Sequence, residues 1–265
     1  MANHKETRSL LDMISEIGHR KRRAAQARFA GRPAGVEAPR DVYLCACGGI
    51  AAHFQEAGYK YAKSGQHCRR RCGDFIFQIG FQSSSHNVAG EHVGLSIYGT
   101  VFSPKIKKWR AKYAELYPSD AVAGGQIGNL QSPHSWLAWD LADPSTRGAT
   151  IADAVATIEQ LALPYFAHFG DLGSLIPLLV EQSLPSMEID HVIAFLMCFA
   201  DKKTARLAAV KFLQRRPDLV ANYLKAMEQF PSRETDRPPS GYAQQLAFAS
   251  IVLEFGNHAE RHAEQ

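Results

Sequence analysis

The sequence predicts an α+β protein: an antiparallel meander sheet flanked by helices, followed by a C-terminal all-helical layer or subdomain. Two observations carry this. Between Tyr59 and Val101, strand-like runs follow one another with short links and no helical pattern between them. Such spacing favours antiparallel pairing, because parallel strands need a long crossover. From Ala149 onward, Ile151, Val155, Ile158 and Leu161 instead recur at helical spacing. The chain has 265 residues, of which 46% are hydrophobic and 21% charged. That is an ordinary globular composition, large enough to bury a core without metals or disulfides. A net charge of +4 is too small by itself to indicate a nucleic-acid partner.

Three regions are expected: a basic N-terminal helix and linker over 1–40, an α+β sheet domain over 41–147, and a helical C-terminal region over 148–265 packed on it. Leu10, Leu11, Ile14 and Ile17 place a helix over 3–29, ending in the basic run His19-Arg-Lys-Arg-Arg. Gly31 to Pro39 is a Gly- and Pro-rich linker. Residues 41–57 read as a helix, with a short strand at Val42–Cys45 as the alternative, and Gly58 as a left-handed C-terminal cap. The sheet then runs through Tyr59–Ala62, Gln66–Cys72 and the alternating Phe75, Phe77, Ile79 and Phe81. After the polar loop Ser83-Ser-Ser-His86, Val93, Leu95, Ile97 and Val101 alternate in a further strand. Ser103-Pro104 starts a helix, with Ser as N-cap and Pro in the first turn. Gly124 to Leu130 is a strand or loop, and Ser135 to Leu141 a final strand. There Trp136 and Ala138 share one face, Leu137 and Trp139 the other. The helical pattern from Ala149 bends or ends at Pro164. Further helices are expected near 171–183, 188–200, 202–215, 217–229 and 241–257, with Arg233 to Ser240 as a charged loop.

The succession of helix, Ala57-Gly58-Tyr59, the Asp74–Phe81 strand, Gly94-Leu-Ser-Ile-Tyr98, Gly125-Gln-Ile-Gly128 and Trp136-Leu-Ala-Trp139 resembles the bacterial family known only as domain of unknown function 4304. The resemblance covers about residues 41–170. The family's Arg-x-Gly-x-Leu series before the Trp strand corresponds here to Gln126-Ile-Gly-Asn-Leu130, with glutamine in place of arginine. The resemblance implies an α+β domain of interaction or toxin-immunity type, and it carries over no catalytic residues.

The residues that stand out chemically are basic. Arg69, Arg70 and Arg71 on one strand, with Lys105, Lys107, Lys108, Trp109 and Arg110 on the Ser103-capped helix, form a candidate anion or acidic-partner site. The same strand charges can also serve to keep a sheet edge from aggregating. Cys45, Cys47, Cys68 and Cys72 lack zinc-knuckle spacing, and two strand residues four apart lie roughly 13 Å from one another, so no metal is expected. No nucleophile elbow, phosphate loop or metalloprotease motif occurs, so neither a cofactor nor a catalytic residue is assigned. Carboxylates are scattered, Asp140 and Asp143 near the Trp strand and Asp171, Glu181, Glu188 and Asp190 further on, and nothing singles one out.

The first functional expectation is therefore a non-catalytic protein-interaction module, of bacterial toxin-immunity or regulatory type, with an acidic toxin or effector as partner. The alternatives are a nucleic-acid or phosphate-binding protein using the basic strand and the 104–113 helix, and an enzyme with a cleft between sheet and helices. With no apolar run near the ~18 residues a membrane span requires and no secretory signal pattern, a cytoplasmic location without membrane association is expected.

Overall fold

The computed structural model describes residues 37–113, 120–229 and 241–254. The expected 3–29 helix, the linker before residue 37 and the 233–240 loop lie outside the described residues. Two compact units form. Unit 1 comprises residues up to Val101 together with Gly124–Gly170; unit 2 comprises Phe102–Ala123 and the chain from Asp171. These limits differ from the expected 41–147 and 148–265. Residues 102–123 group with the C-terminal helices, and 148–170 group with the sheet.

Unit 1 begins with α1, Pro39–His53. Val42, Tyr43, Ala46, Cys47, Ile50 and Ala51 are all buried, a spacing that puts them on one helical face. Their burial outweighs the low helix propensity of Gly48 and Gly49, so the alternative strand over Val42–Cys45 does not form. Strands β1 (Lys60–Ala62), β2 (His67–Cys72), β3 (Phe75–Ser83) and β4 (Gly94–Phe102) follow as an antiparallel meander, joined by β5 (Ala121–Gln126) and β6 (Ala138–Asp140). The order is β1-β2-β3-β4-β5, with β6 also pairing β4. β6 takes the start of β4, with Gly94 opposite Asp140 and Ser96 opposite Ala138. β5 comes against β4 further along. A β-carbon on Gly124 would stand 2.1 Å from the Gly99 carbonyl oxygen, and φ there is +117°, so that crossing requires glycine.

Phe75, Phe77, Ile79 and Phe81 point inward, as do Leu95, Ile97 and Trp139. Helices of the same unit cover this inner face. They are α3 (Arg147–Thr157), a π-turn over Ile158–Ala162 and α4 (Leu163–Ala167). Phe166 stacks on Phe77 with centroids 5.0 Å apart, and Phe169 meets Phe75 edge-on at 5.4 Å. Pro164 does not end this helical run. Its missing N–H and its ring are incompatible with a regular i−4 bond, and the turn before it widens so that Leu163 N–H reaches the Ile158 carbonyl. The buried His53 of α1 meets Glu159 of the π-turn, Nε2 to Oε1 2.8 Å.

The opposite face of the sheet stays exposed to solvent. The pairing of Lys60 with Arg69, and of Arg69 with Gln78, puts these three side chains on that face. Arg71, Ser96, Tyr98 and Asp140 lie on it too, by the alternation of each strand.

Unit 2 holds α2 (Pro104–Arg110), α5 (Leu172–Val180), α6 (Ile189–Phe199), α7 (Lys202–Arg215), α8 (Pro217–Gln229) and α9 (Tyr242–Val252). The expected Ser cap is present, Ser103 Oγ accepting from Ile106 N–H at 3.3 Å. Asp171 and Asp201 cap α5 and α7 in the same way. Phe195, Leu196, Leu246 and Phe248 are fully buried, and Tyr223 donates to Ser250 Oγ at 3.2 Å between α8 and α9. No single helix among the described residues is long and apolar enough to cross a membrane.

Candidate functional site

A cleft of about 440 Å³ opens on the solvent face of the unit 1 sheet, where the β3–β4 hairpin loop meets β6. Ser84, His92, Ser96, Tyr98, Trp136 and Asp140 all border it. The loop that carries Ser84 and His92 is tightly held. Val88 and His92 exchange backbone hydrogen bonds of 2.8 and 2.9 Å around the turn, and Ser84 N–H donates to the Gly94 carbonyl at 3.1 Å. Asn87 ties the loop across, accepting from Gly94 N–H at 2.8 Å and donating to Ser83 Oγ at 2.7 Å. A polar, glycine-bearing segment keeps a fixed shape here because its own side chains satisfy its backbone.

Asp140, at the end of β6, is the electrostatic centre. Its Oδ1 accepts from the backbone N–H groups of Val93 and Ala142, both at 3.0 Å, and its Oδ2 from His92 Nδ1 at 2.8 Å. Partial burial pushes this carboxyl up. The two N–H groups and His92 outweigh that and hold it below the ordinary carboxylate range. Because the carboxylate accepts, Nδ1 of the neutral imidazole carries the proton and Nε2 is left as an acceptor. His92 Nε2 and Ser84 Cβ lie 3.0 and 2.8 Å from the point where a β-carbon on Gly94 would stand. The imidazole and the serine thus border one small space, kept open by the glycine between them. Ser84 Oγ accepts from His86 N–H at 3.0 Å.

Trp136 stands at the rim with 66% of its surface exposed. The final strand is shorter than expected and begins at Ala138, so Trp136 precedes it and is free of the pleat. Trp139 is the tryptophan that turns inward, donating from Nε1 to Asp153 Oδ2 at 2.8 Å.

The basic residues singled out by sequence divide between the two units. In unit 1, Arg69 and Arg71 are exposed; Arg69 Nε donates to Gln78 Oε1 at 2.7 Å, and Arg71 Nε to the Gly73 carbonyl at 3.4 Å. Arg70 is half-buried on the inner side, its Nε 3.8 Å from the β-carbon position of Gly58 and its charge beside Tyr59. In unit 2, Arg110 is buried and donates from Nη1 to the Ala121 carbonyl at 2.6 Å. Lys107 bridges to Asp120 at 2.5 Å, and Lys105 lies 4.2 Å over the Phe199 ring. Lys108 is exposed and Trp109 half-buried. Arg70 and Arg110 thus act within the folded units, and Arg69, Arg71 and Lys108 extend into solvent. His191 on α6 is half-buried beside Asp190, Nε2 to Oδ2 3.8 Å; burial holds its imidazole below the ordinary value against the pull of Asp190.

Of the cysteines, Cys47 and Cys68 are buried, Cys72 is exposed, and all are free thiols. No group of three or more His, Cys, Asp or Glu placed to hold a metal occurs among the described residues. Burial pushes the Cys47 and Cys68 thiols up to about 12 from 9.0. A water-soluble disulfide reagent at pH 8 is therefore expected to react rapidly with Cys72 and to spare Cys47 and Cys68 until denaturant is added. Replacing Cys72 by serine should remove that fast phase. In the unfolded chain these buried thiols ionise near pH 9.0, whereas in the fold they hold their protons to about 12. Their contribution to stability is present below pH 9 and is lost as pH rises from 9 toward 12, which alkaline urea titrations would read.

In the sequence, Ser83-Ser-Ser-His86 reads as a polar loop, and nothing there joins it to His92 or Asp140. His92 reaches the site through the hairpin register that sets Gly94 opposite both Ser84 and Asp140. The turn-forming Asn87 to Gly90 is the signal from which that register was readable. Searches of family models, curated proteins and solved structures return no significant match.

Proposed function

We propose that unit 1 is a protein-interaction module whose partner docks on the open face of the sheet, with Trp136 as its anchor. The observation that carries this reading is Trp136, a large aromatic left 66% exposed beside a polar cleft. Exposed tryptophans of this kind, set next to hydrogen-bonding groups, dominate the energetics of interfaces. The face also has a charge pattern. Lys60, Arg69 and Arg71 lie on β1 and β2, and β6 lies three strand spacings from β2, roughly 15 Å. Both ends fit within a standard interface of about 800 Å² per partner. An acidic patch on the partner complements the arginines while one of its loops takes up the Trp136 cleft. An immunity or regulatory protein that masks an acidic toxin or effector matches this chemistry, in keeping with the family resemblance.

The test is capture of partners from nuclease-treated native lysate, by wild type and by Trp136→Ala and Arg69→Glu/Arg71→Glu variants, followed by titration of the partner obtained. Trp136→Ala is expected to weaken binding by about 30-fold or more. The charge reversals should act mainly on the association rate and its salt dependence. A partner held equally by all three proteins overturns the assignment of this face. Material released by nuclease instead would favour a phosphate-backbone ligand for the basic strand.

A further inference from the structure

We propose that Ser84, His92 and Asp140 form a nucleophilic acyl-transfer centre in the cleft, able to cleave small activated esters or amides by way of an acyl-serine. The inference is independent of the docking reading.

Three separate segments supply the groups: the residue after β3, the far side of the same hairpin loop, and the end of β6. The roles follow from the geometry. A nucleophilic serine needs a base beside it, and the base needs a third group to fix its tautomer. Asp140 fixes the tautomer: Oδ2 takes the Nδ1–H of His92 at 2.8 Å, while two backbone N–H groups at 3.0 Å immobilise Oδ1. The carboxylate is thereby locked in position. His92 Nε2 then presents a lone pair to the space it shares with Ser84. Gly94 is what makes that space, because a β-carbon there would meet Ser84 Cβ at 2.8 Å and His92 Nε2 at 3.0 Å. Ser84 Oγ accepts from His86 N–H at 3.0 Å, a bond that leaves the hydroxyl proton to be given away and that stabilises negative charge on Oγ. A rotation of the Ser84 side chain toward His92 is the movement that the reaction requires; such bonds commonly tighten only when substrate is bound.

The Ser84 hydroxyl attacks the substrate's carbonyl carbon, its proton passes to His92 Nε2, and the carbonyl electrons move onto oxygen. When the tetrahedral intermediate collapses, the bond to the leaving group breaks and Nε2 returns the proton to that group. Water repeats the sequence on the acyl-serine, releasing a carboxylic acid and restoring the hydroxyl. The cleft, open on one side and floored by Ser96 and Tyr98 with Trp136 at its rim, admits a small acyl group.

A fluorophosphonate probe, which phosphonylates activated serines, tests this on the full chain. Labelling of the folded protein at one site, lost on heat denaturation, is expected. Ser84→Ala should abolish it, and Ser85→Ala should retain it. His92→Ala should slow labelling by about 100-fold or more, and added imidazole should restore part of the rate. Asp140→Asn, which turns a donor toward Nδ1, should slow it by at least tenfold, and Asp140→Glu should recover part of that. Circular dichroism of each variant establishes that it is folded. No labelling of the wild type above the denatured control, or labelling that survives Ser84→Ala, overturns the proposal. Arg69→Glu/Arg71→Glu, outside the cleft, separates the two readings: altered partner capture with labelling unchanged is expected, capture unchanged overturns the docking face alone, and labelling lost in this folded variant counts against the assigned centre.

Discussion

Replacing Phe166 with alanine is expected to lower the stability of unit 1 by about 3–5 kcal/mol. Phe166 is fully buried, and its ring lies parallel to that of Phe77, with centroids 5.0 Å apart and an interplanar angle of 7°. A second ring, Tyr165, meets it edge-on at 6.4 Å. On the sheet side its Cζ comes within 3.5 Å of the β-carbon position on Gly99, so the ring rests on bare backbone there. Truncation removes the transfer free energy of a phenyl group and leaves a cavity. One wall of that cavity is β4 backbone, which cannot collapse inward without breaking ladder hydrogen bonds. The loss corresponds to roughly 10 °C in melting temperature for a unit of this size. Urea unfolding followed by tryptophan fluorescence and by circular dichroism would measure it. Phe166→Leu, which refills most of the volume, should recover about half. A loss below about 1 kcal/mol for the alanine variant would mean that the helical run 147–167 does not seal the inner face of the sheet.

That helical run also marks where sequence was informative and where it was not. The inward alternation Phe75, Phe77, Ile79 and Phe81 was legible because β3 is long and half-buried, so its period-2 signal is set by one face of the sheet. The Ser103-Pro104 start was legible through its cap, and the C-terminal helices were legible as approximate ranges, although Pro177 lies inside α5 and does not break it. Pro164 was read as a bend or stop. It sits instead beyond a π-turn, a local widening that tertiary burial of Ile158, Ala162 and Phe166 maintains and that no propensity reports. The grouping of residues 102–123 with the chain after Asp171 depends on packing between residues far apart in sequence, which a local reading cannot carry.

The candidate site divides along the same line. Counting alternate residues puts Arg69 and Arg71 on the face of β2 opposite Arg70, and the strand pairing shows that face to be the solvent one. Arg110 looked like part of a basic helical surface. Its side chain turns inward to the Ala121 carbonyl, a partner on a different segment. A long cationic residue followed by an apolar one reads the same in either case. Trp136 was assigned to a strand face because the strand was taken to start at Ser135. The three-residue β6 leaves it outside the pleat. His92 and Asp140 are 48 residues apart and meet only because β6 pairs with the first residues of β4.

Arg147 carries the second large effect, and it ties the stability of unit 1 to the cleft. Arg147 is buried, with 6% of its surface exposed. Nε donates to the Leu141 carbonyl at 2.7 Å, Nη2 to the Ala142 carbonyl at 3.2 Å, and Nη1 to Glu37 Oε2 at 2.6 Å. One guanidinium therefore holds the two residues that follow Asp140 and links them to the start of α1. Replacing Arg147 with methionine keeps much of the volume but removes all three bonds, leaving buried carbonyls unsatisfied and Glu37 without this counter-charge. The expected loss is about 3–5 kcal/mol. Most of that is the penalty for what is left behind. Glu37 is half-buried, and converting it to glutamine in the same protein should then recover part of the loss, because its charge no longer faces the Arg147 guanidinium. Chemical denaturation of the two single variants and the double variant measures the coupling directly. The same substitution should reach the site. Ala142 N–H is one of the donors that fix Asp140, and a loosened Leu141–Ala142 segment lets the carboxylate swing away from His92. In Arg147→Met, the rate of fluorophosphonate labelling should fall by at least tenfold at temperatures where the variant is still fully folded. An unchanged labelling rate in a destabilised protein would show that Arg147 secures the fold without positioning the cleft.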